Sequence, residues 1–172
     1  MSIEISIADK SSDLESLSRL FSDNLTPQYI SHSELQGYRA LKPEQWAENI
    51  ETVIREEIGS RLGQPRQTFP SGQAWQGVIQ AREDDRLVGV ALVTISRSAA
   101  VPFGVIEDIV VGKGLRDGGR GRALMEWIAA EMLRAGITRL FLESGIGNER
   151  AHRLFEGMGF KPISVVMMRE LL

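Results

Sequence analysis

The stretch EDIVVGKGLRDGGRGRALMEW, residues 107–127, limits the possible folds of this chain more than any other segment. The apolar run Val105–Val111 reads as a strand and carries two acids, Glu107 and Asp108. It breaks into a loop holding Gly112, Gly114, Gly118, Gly119 and Gly121 among Lys113, Arg116, Arg120 and Arg122. The chain then resumes at helical spacing, with Ala123, Leu124, Trp127, Ile128 and Met132 near one face and Gly136 as the closing residue. A helix start exposes unpaired backbone N–H groups and the positive end of the helix dipole. Glycines remove the side chains that would cover those groups, so an anion can sit directly on the amides. Together with the four cations, this predicts a site for a phosphate or pyrophosphate. Glycines that serve only a tight turn are the plainer alternative.

The flanking segments predict a mixed architecture. Ile3, Ile5 and Ile7 alternate with polar residues as a first strand. Leu14, Leu17, Leu20 and Phe21 mark a helix capped by Ser11 or Ser12. Residues 26–42 are ambiguous, with room for a short helix. Pro43 suits a first helical turn, and Trp46, Ile50, Val53, Ile54 and Ile58 form an apolar face ending near Gly59. The opposite face carries Glu44, Glu48, Glu51, Glu56 and Glu57 and reads as solvated. Residues 59–74 hold prolines and glycines and read as a long loop. Residues 75–82 and 86–95 flank Asp84-Asp85 as a hairpin. Arg139–Leu142 reads as a short strand. A helix capped by Asn148 carries Ala151, Leu154, Phe155 and Met158, and Val165–Met168 is a last strand. The class is α+β, a mixed, mostly antiparallel central sheet of about six to seven strands flanked by helices.

Composition narrows the chemistry. At 172 residues a single domain is expected. With no cysteine, thiolate nucleophiles and cysteine-based metal sites are excluded, and His32 and His152 lack metal-ligand spacing. No metal is expected. A net charge of −3 gives no overall pull toward nucleic acid or membranes. The N-terminus is charged too early for a signal peptide, and no run approaches membrane-spanning length. A cytoplasmic enzyme or binding domain is the expectation, with a homodimer left open.

The loop separates phosphate compounds by spacing. A P-loop, Gly-x-x-x-x-Gly-Lys-Ser/Thr, is absent. Gly112 and Gly114 begin a dinucleotide fingerprint, but Asp117 occupies the third glycine position. Arg116-Asp117-Gly118-Gly119-Arg120-Gly121 instead resembles Arg/Gln-x-x-Gly-x-Gly/Ala, the acyl-coenzyme A pyrophosphate signature of the GCN5-related N-acetyltransferase (GNAT) superfamily. Downstream, Asn148-x-x-Ala151-x-x-Leu154-Phe155-x-x-x-Gly159-Phe160 is similar to that family's Asn-x-x-Ala-x-x-Leu-Tyr-x-x-x-Gly-Phe segment. The resemblance covers residues 75–172, and it leaves 26–74 as a variable, acceptor-side region.

The resemblance implies roles by position. Ile109, Val110 and Val111 would run along the pantetheine arm, in a strand splayed from its neighbour. Arg116, Asp117, Gly118, Gly119, Arg120, Gly121 and Arg122 would form the pyrophosphate loop. Asn148 and Phe155 would lie near the coenzyme, although Asn148 could equally be a pure helix cap. The implied activity is acetyl transfer from acetyl-coenzyme A to a primary amine of a small molecule such as a polyamine, an amino sugar or an amino-acid-like compound. Such transfer passes through a tetrahedral oxyanion, which a backbone N–H of Ile109 or Val110 could stabilise. The amine must lose a proton before it attacks. Glu107 is the favoured base, with Asp108 as a contact to acceptor or structure; either could instead pair with a buried arginine. In regular strand geometry only one of them can face a given site. Phe155 departs from the family's tyrosine and cannot protonate the leaving thiolate; Ser144, His152, Tyr29, Tyr38 or water could do so. The alternative function is a catalytically weak acyl-coenzyme A binding module, with a nucleotide-dependent oxidoreductase a distant third.

Overall fold

The central hairpin is set by its turn. In the computed structural model, which describes residues 3–115 and 118–171, β4 (Trp75–Glu83) and β5 (Arg86–Ser96) are joined through Asp84 and Asp85. Both acids adopt positive φ, 47° and 62°. That left-handed pair matches the twist of a two-residue hairpin and is tolerated best by Asn, Asp and Gly.

Around the hairpin the chain forms two compact units, residues 1–25 with 49–143 and residues 26–48 with 144–172. The first unit holds β1 (Glu4–Ile7), α1 (Leu14–Ser22), α3 (Ile50–Arg61), β4, β5, β6 (Phe103–Val111), α4 (Arg120–Arg134) and β7 (Leu140–Leu142). Its sheet runs β1-β4-β5-β6-β7, antiparallel except for the β6–β7 pair. Strand β5 lies at its middle and is buried along most of its length. A side chain at Gly89 would meet Leu124 of α4, and one at Gly104 would meet Met132 of the same helix. One at Gly112, just past β6, would meet Leu20 of α1. Helices α1 and α3 therefore cover one face, burying Leu17, Phe21, Ile54 and Ile58, and α4 covers the other with Leu124, Met125, Ile128 and Met132. The mixed α+β class follows, with five strands in the main sheet among the described residues.

The second unit holds α2 (His32–Gln36), the small hairpin β2 (Ala40–Lys42) and β3 (Gln45–Trp46), and α5 (Glu149–Glu156). Helix α2 opens on a capping box between Ser31 and Glu34. The Glu34 carboxylate also meets Arg39 at 3.6 Å, with both side chains nearly buried. Gly145 lies flat on the main chain of Gln28 and Ile30, whose carbonyl oxygens would stand 2.4 and 2.5 Å from any Cβ there.

Four sequence expectations change. The cap of α1 is Asp13, whose side chain accepts from the Ser16 amide at 3.2 Å, rather than Ser11 or Ser12. The Ser16 hydroxyl and amide hold the Asp13 carboxyl below the usual aspartate range. Pro43 and Glu44 turn the β2–β3 hairpin and Trp46 belongs to β3, so α3 starts only at Ile50. Gly59 does not end α3, because it packs against Leu14 of α1 and is kept for that close approach. Val165–Met168 forms no strand; Val165 is 82% and Met167 91% exposed. Strand propensity expresses a fit to a paired, half-buried surface, and this segment has neither pairing nor burial.

The long loop after α3 is anchored at its middle by Phe69. Phe69 is buried, stacked obliquely on Trp75 at 4.9 Å and edge-on to Trp127 at 5.7 Å. Its amide donates to the buried Glu131 carboxylate at 3.4 Å, which Arg134 pairs from one helical turn away. Phe69→Ala should cost about 3–5 kcal/mol, the usual range for emptying a buried aromatic site. Urea unfolding should show the midpoint falling with the slope unchanged.

Candidate active site

Glu107 is the extra residue of a β-bulge. Leu92 of β5 faces Asp108, but the next residue, Val93, faces Ile106, so Glu107 has no counterpart on β5. Bulges re-aim side chains and increase local twist. Here the bulge shifts the alternation of the strand by one. Gly104 lies on the α4 face by its contact with Met132, and Ile106 shares its parity. Beyond the bulge, Asp108 and Val110 pair with Leu92 and Val90 on the α1–α3 face. Glu107 reaches the same face, since it meets Arg61 at the end of α3. The regular-strand expectation that only one acid can face a given site is thus corrected.

The two acids differ in setting. Asp108 is buried at 3% exposure. The Glu107 side chain is 36% exposed, and its Oε2 lies 2.5 Å from Arg61 Nη1. That nitrogen is itself buried, and Glu107 is the partner it meets among the described residues.

The β6–β7 ladder covers only Gly104–Ile106. It stops where the bulge begins and does not continue along Ile109, Val110 and Val111.

The glycine loop ends at the start of α4. Gly119 occupies the N-cap position at φ +74°, a left-handed conformation open to glycine, and has no side chain to cap the helix. The first inward amide is that of Ala123, bonded to the Gly119 carbonyl at 2.9 Å. The amides of Arg120, Gly121 and Arg122 precede it and have no carbonyl to meet within the helix. The Arg120 side chain turns inward, to Glu83 at 2.7 Å and the Leu115 carbonyl at 3.1 Å. Arg122 meets Glu126 at 3.7 Å on the surface. Arg120 therefore brings an amide to this turn while its guanidinium fixes the loop. Lys113 is exposed, and Arg116 and Asp117 lie outside the described residues.

The downstream segment belongs to the second unit. Asn148 stands at the N-cap of α5, yet its side chain makes no capping bond, which argues against a pure capping role. Phe155 is the buried residue of α5 and packs edge-on against Phe160 at 6.2 Å. Among the alternative proton donors, the Ser144 hydroxyl is buried and makes no hydrogen bond. His152 is half-buried, Tyr29 packs near Trp46, and Tyr38 is 89% exposed. Among the described residues no cluster of histidine and acids is arranged to hold a metal. No helix there is long and apolar enough to cross a membrane.

Sequence reasoning missed Arg61, which it placed in the loop after Gly59. The apolar pattern running through Ile54 and Ile58 continues one turn to Arg61, and that turn was the available signal.

Gly121→Glu should abolish coenzyme A binding without unfolding the protein, because the new carboxylate would compete for the helix amides. Calorimetry on a variant with an unchanged circular dichroism spectrum checks this. Arg120→Ala should instead lower stability, by about 1–3 kcal/mol, since it strands Glu83. Phe155→Tyr should lower the melting temperature, because a hydroxyl is introduced beside Phe160 in a buried position; differential scanning calorimetry reads it directly.

The comparisons agree with this geometry. A sequence model described as the Acetyltransferase (GNAT) family matches residues 37–160. No curated protein matches the sequence. Among solved structures, the ribosomal-protein-alanine N-acetyltransferase of Brucella melitensis biovar Abortus 2308 is 19% identical with a TM-score of 0.64, covering 99% of this chain and 100% of its own. The aminoglycoside N-acetyltransferase AAC(6')-Iy, solved with CoA, is 15% identical with a TM-score of 0.64 over 99% of this chain and 95% of its own. An acetyltransferase of Trypanosoma brucei is 20% identical with a TM-score of 0.59, over 99% and 100%. These likenesses establish the fold, and the family match, which spans more than half of the sequence, establishes that this chain belongs to the Acetyltransferase (GNAT) family.

Proposed function

We propose that the protein is an acetyl-coenzyme A-dependent N-acetyltransferase that acts on the primary amine of a small molecule, with the chain forming a single catalytic domain. The family match runs through both compact units, from residue 37 to 160, which supports one domain. The observation that carries the catalytic reading is the bulge in β6. It turns two carboxylates to one face of the sheet where the β6–β7 ladder ends.

The described residues suit the coenzyme. The α4 amides behind Gly119 form an anion-binding turn, and β6 beyond the bulge lies outside the β6–β7 ladder, where an extended amide-bearing arm would run. Bound there, the coenzyme supplies an activated acetyl thioester. AAC(6')-Iy has also been solved with a bisubstrate analogue that joins CoA to an acetylated aminoglycoside, which fits direct attack through a ternary complex.

Glu107 takes the proton from the attacking amine, so that nitrogen bonds the acetyl carbon as the C–S bond breaks and sulfur leaves as thiolate. Its partial exposure lets it reach a solvent-borne acceptor. Asp108, buried on the same face, contacts the acceptor or steadies the bulge. A thiol with a pKa near 8.5 leaves without an obligatory proton donor, so phenylalanine at position 155 is compatible with turnover. The Ser144 hydroxyl is the buried alternative among the named candidates. The variable region 26–74 supplies the acceptor side.

The experiment is coenzyme thiol release over a panel of small amines, compared with coenzyme affinity. Turnover above the uncatalysed rate supports the enzyme. Tight coenzyme binding without turnover would instead support a binding module. Glu107→Gln should lower kcat by about 10²–10⁴, the range of general base catalysis, while leaving coenzyme affinity unchanged. The wild-type rate should rise toward alkaline pH as the free amine accumulates.

A further inference from the structure

Beside Glu107 lies a cavity of about 330 Å³ between the end of α3, the end of β1 and the start of β4. Its polar lining includes Arg61, Gln64, Arg66 and Gln76. Gln76 faces Thr94 on β5, which itself faces Val105, so it lies on the α1–α3 face beside the row that holds the bulge. Arg61 therefore both lines the cavity and pairs with Glu107. Among the described residues no acid lines this cavity. Arg66 is exposed and forms no ion pair among the described residues.

We propose that this cavity selects an acceptor carrying a carboxylate close to its amine, an amino-acid-like zwitterion, with Arg61 as the specificity residue. The proposal rests on Glu107 receiving the acceptor amine. That amine arrives mostly as an ammonium at neutral pH. At Glu107 it comes to lie beside the Arg61 guanidinium, a second cation held by the same carboxylate. A zwitterion resolves the conflict by bringing a partner for each half of the pair, its ammonium to Glu107 and its carboxylate to Arg61. Guanidinium binds carboxylate through paired N–H donors, and it carries five of them, so Arg61 has donors to offer beyond its contact with Glu107. Gln64, Gln76 and Arg66 extend the same preference along the cavity. A polyamine brings only positive charge to a wall carrying two arginines and gains nothing from them.

The test compares kcat/KM, by thiol release, for amino acids, the corresponding amino acid amides, spermidine and an aminoglycoside. The amino acids should exceed their amides by roughly 10- to 100-fold, the range a charged hydrogen bond contributes. Arg61→Gln should raise KM for the acids and bring acid and amide to parity, while Arg61→Lys recovers part of the difference. A general loss of stability lowers both acceptors alike, so the acid-to-amide ratio isolates recognition from folding. Arg66→Gln, at an exposed site, should narrow the ratio by a smaller factor with no change in melting temperature.

Faster use of amides or of spermidine would overturn the proposal and leave acetyl transfer standing. If no amine is turned over, calorimetry of amino acids against the coenzyme-loaded protein decides. Binding that Arg61→Gln removes sustains carboxylate recognition although the catalytic reading has failed. Absence of such binding overturns the proposal.

Discussion

A strand paired in regular register must send adjacent side chains to opposite faces, and β6 departs from this at one residue. The extra residue at Glu107 has three consequences. It turns Glu107 and Asp108 to the same side of the sheet. It places them where the β6–β7 ladder stops, so the strand beyond has an edge that β7 does not cover. It also leaves the first half of β6 packed on α4 through Gly104 and Ile106, while the second half packs Asp108 and Val110 toward α1 and α3. The placement of both acids and the end of the β6–β7 ladder thus meet at a single register shift. That shift is held by buried apolar residues on both sides of it, Leu92 and Val93 on the partner strand and Ile106 and Val110 on β6 itself.

The sequence was legible where the determinants are local. Asp84-Asp85 reads as a turn because the turn demands positive φ, and the flanking runs carry the alternation expected of its strands. The glycine-rich start of α4 is legible for the same reason, since a helix terminus is specified within a few residues. The second unit was harder. Trp46 falls at helical spacing from Ile50 and Val53, and that period hid a two-residue strand turned by Pro43 and Glu44. Val165–Met168 has strand composition, but pairing is a property of two segments and only one was in view.

The bulge was not legible at all. Nothing in IEDIVV distinguishes a regular strand from a bulged one, because the register is defined by β5, a dozen or more residues away. Arg61 was hidden by the same kind of distance. It reads as part of the loop after Gly59 until β6 brings Glu107 to it from 46 positions along the chain. Gly59 shows the reverse error. Its local meaning is a helix stop, and its tertiary meaning is the contact with Leu14 that lets α1 lie against α3.

The two arginines nearest the proposed site show how an acidic chain prepares for anions. With a net charge of −3, the protein has no long-range attraction for a phosphate and must build affinity locally. At α4 the proposed means are main-chain donors, fixed in direction by the helix and uncovered by glycine. Arg120 spends its charge on Glu83 and the Leu115 carbonyl, which anchors the loop behind those donors. The donors are ordered before any ligand arrives, so binding incurs little conformational cost. At Arg61 the arrangement is the opposite: the guanidinium is paired with Glu107, the residue proposed as the base. A ligand that brings a partner to each member of the pair is favoured, and one that brings only positive charge must compete with it. The same residue type thus acts as a fixed support in one place and as an exchangeable partner in the other. The difference lies in what each guanidinium already holds: Arg120 grips Glu83 and the Leu115 carbonyl through its two Nη atoms, with Nε left over, whereas Arg61 meets Glu107.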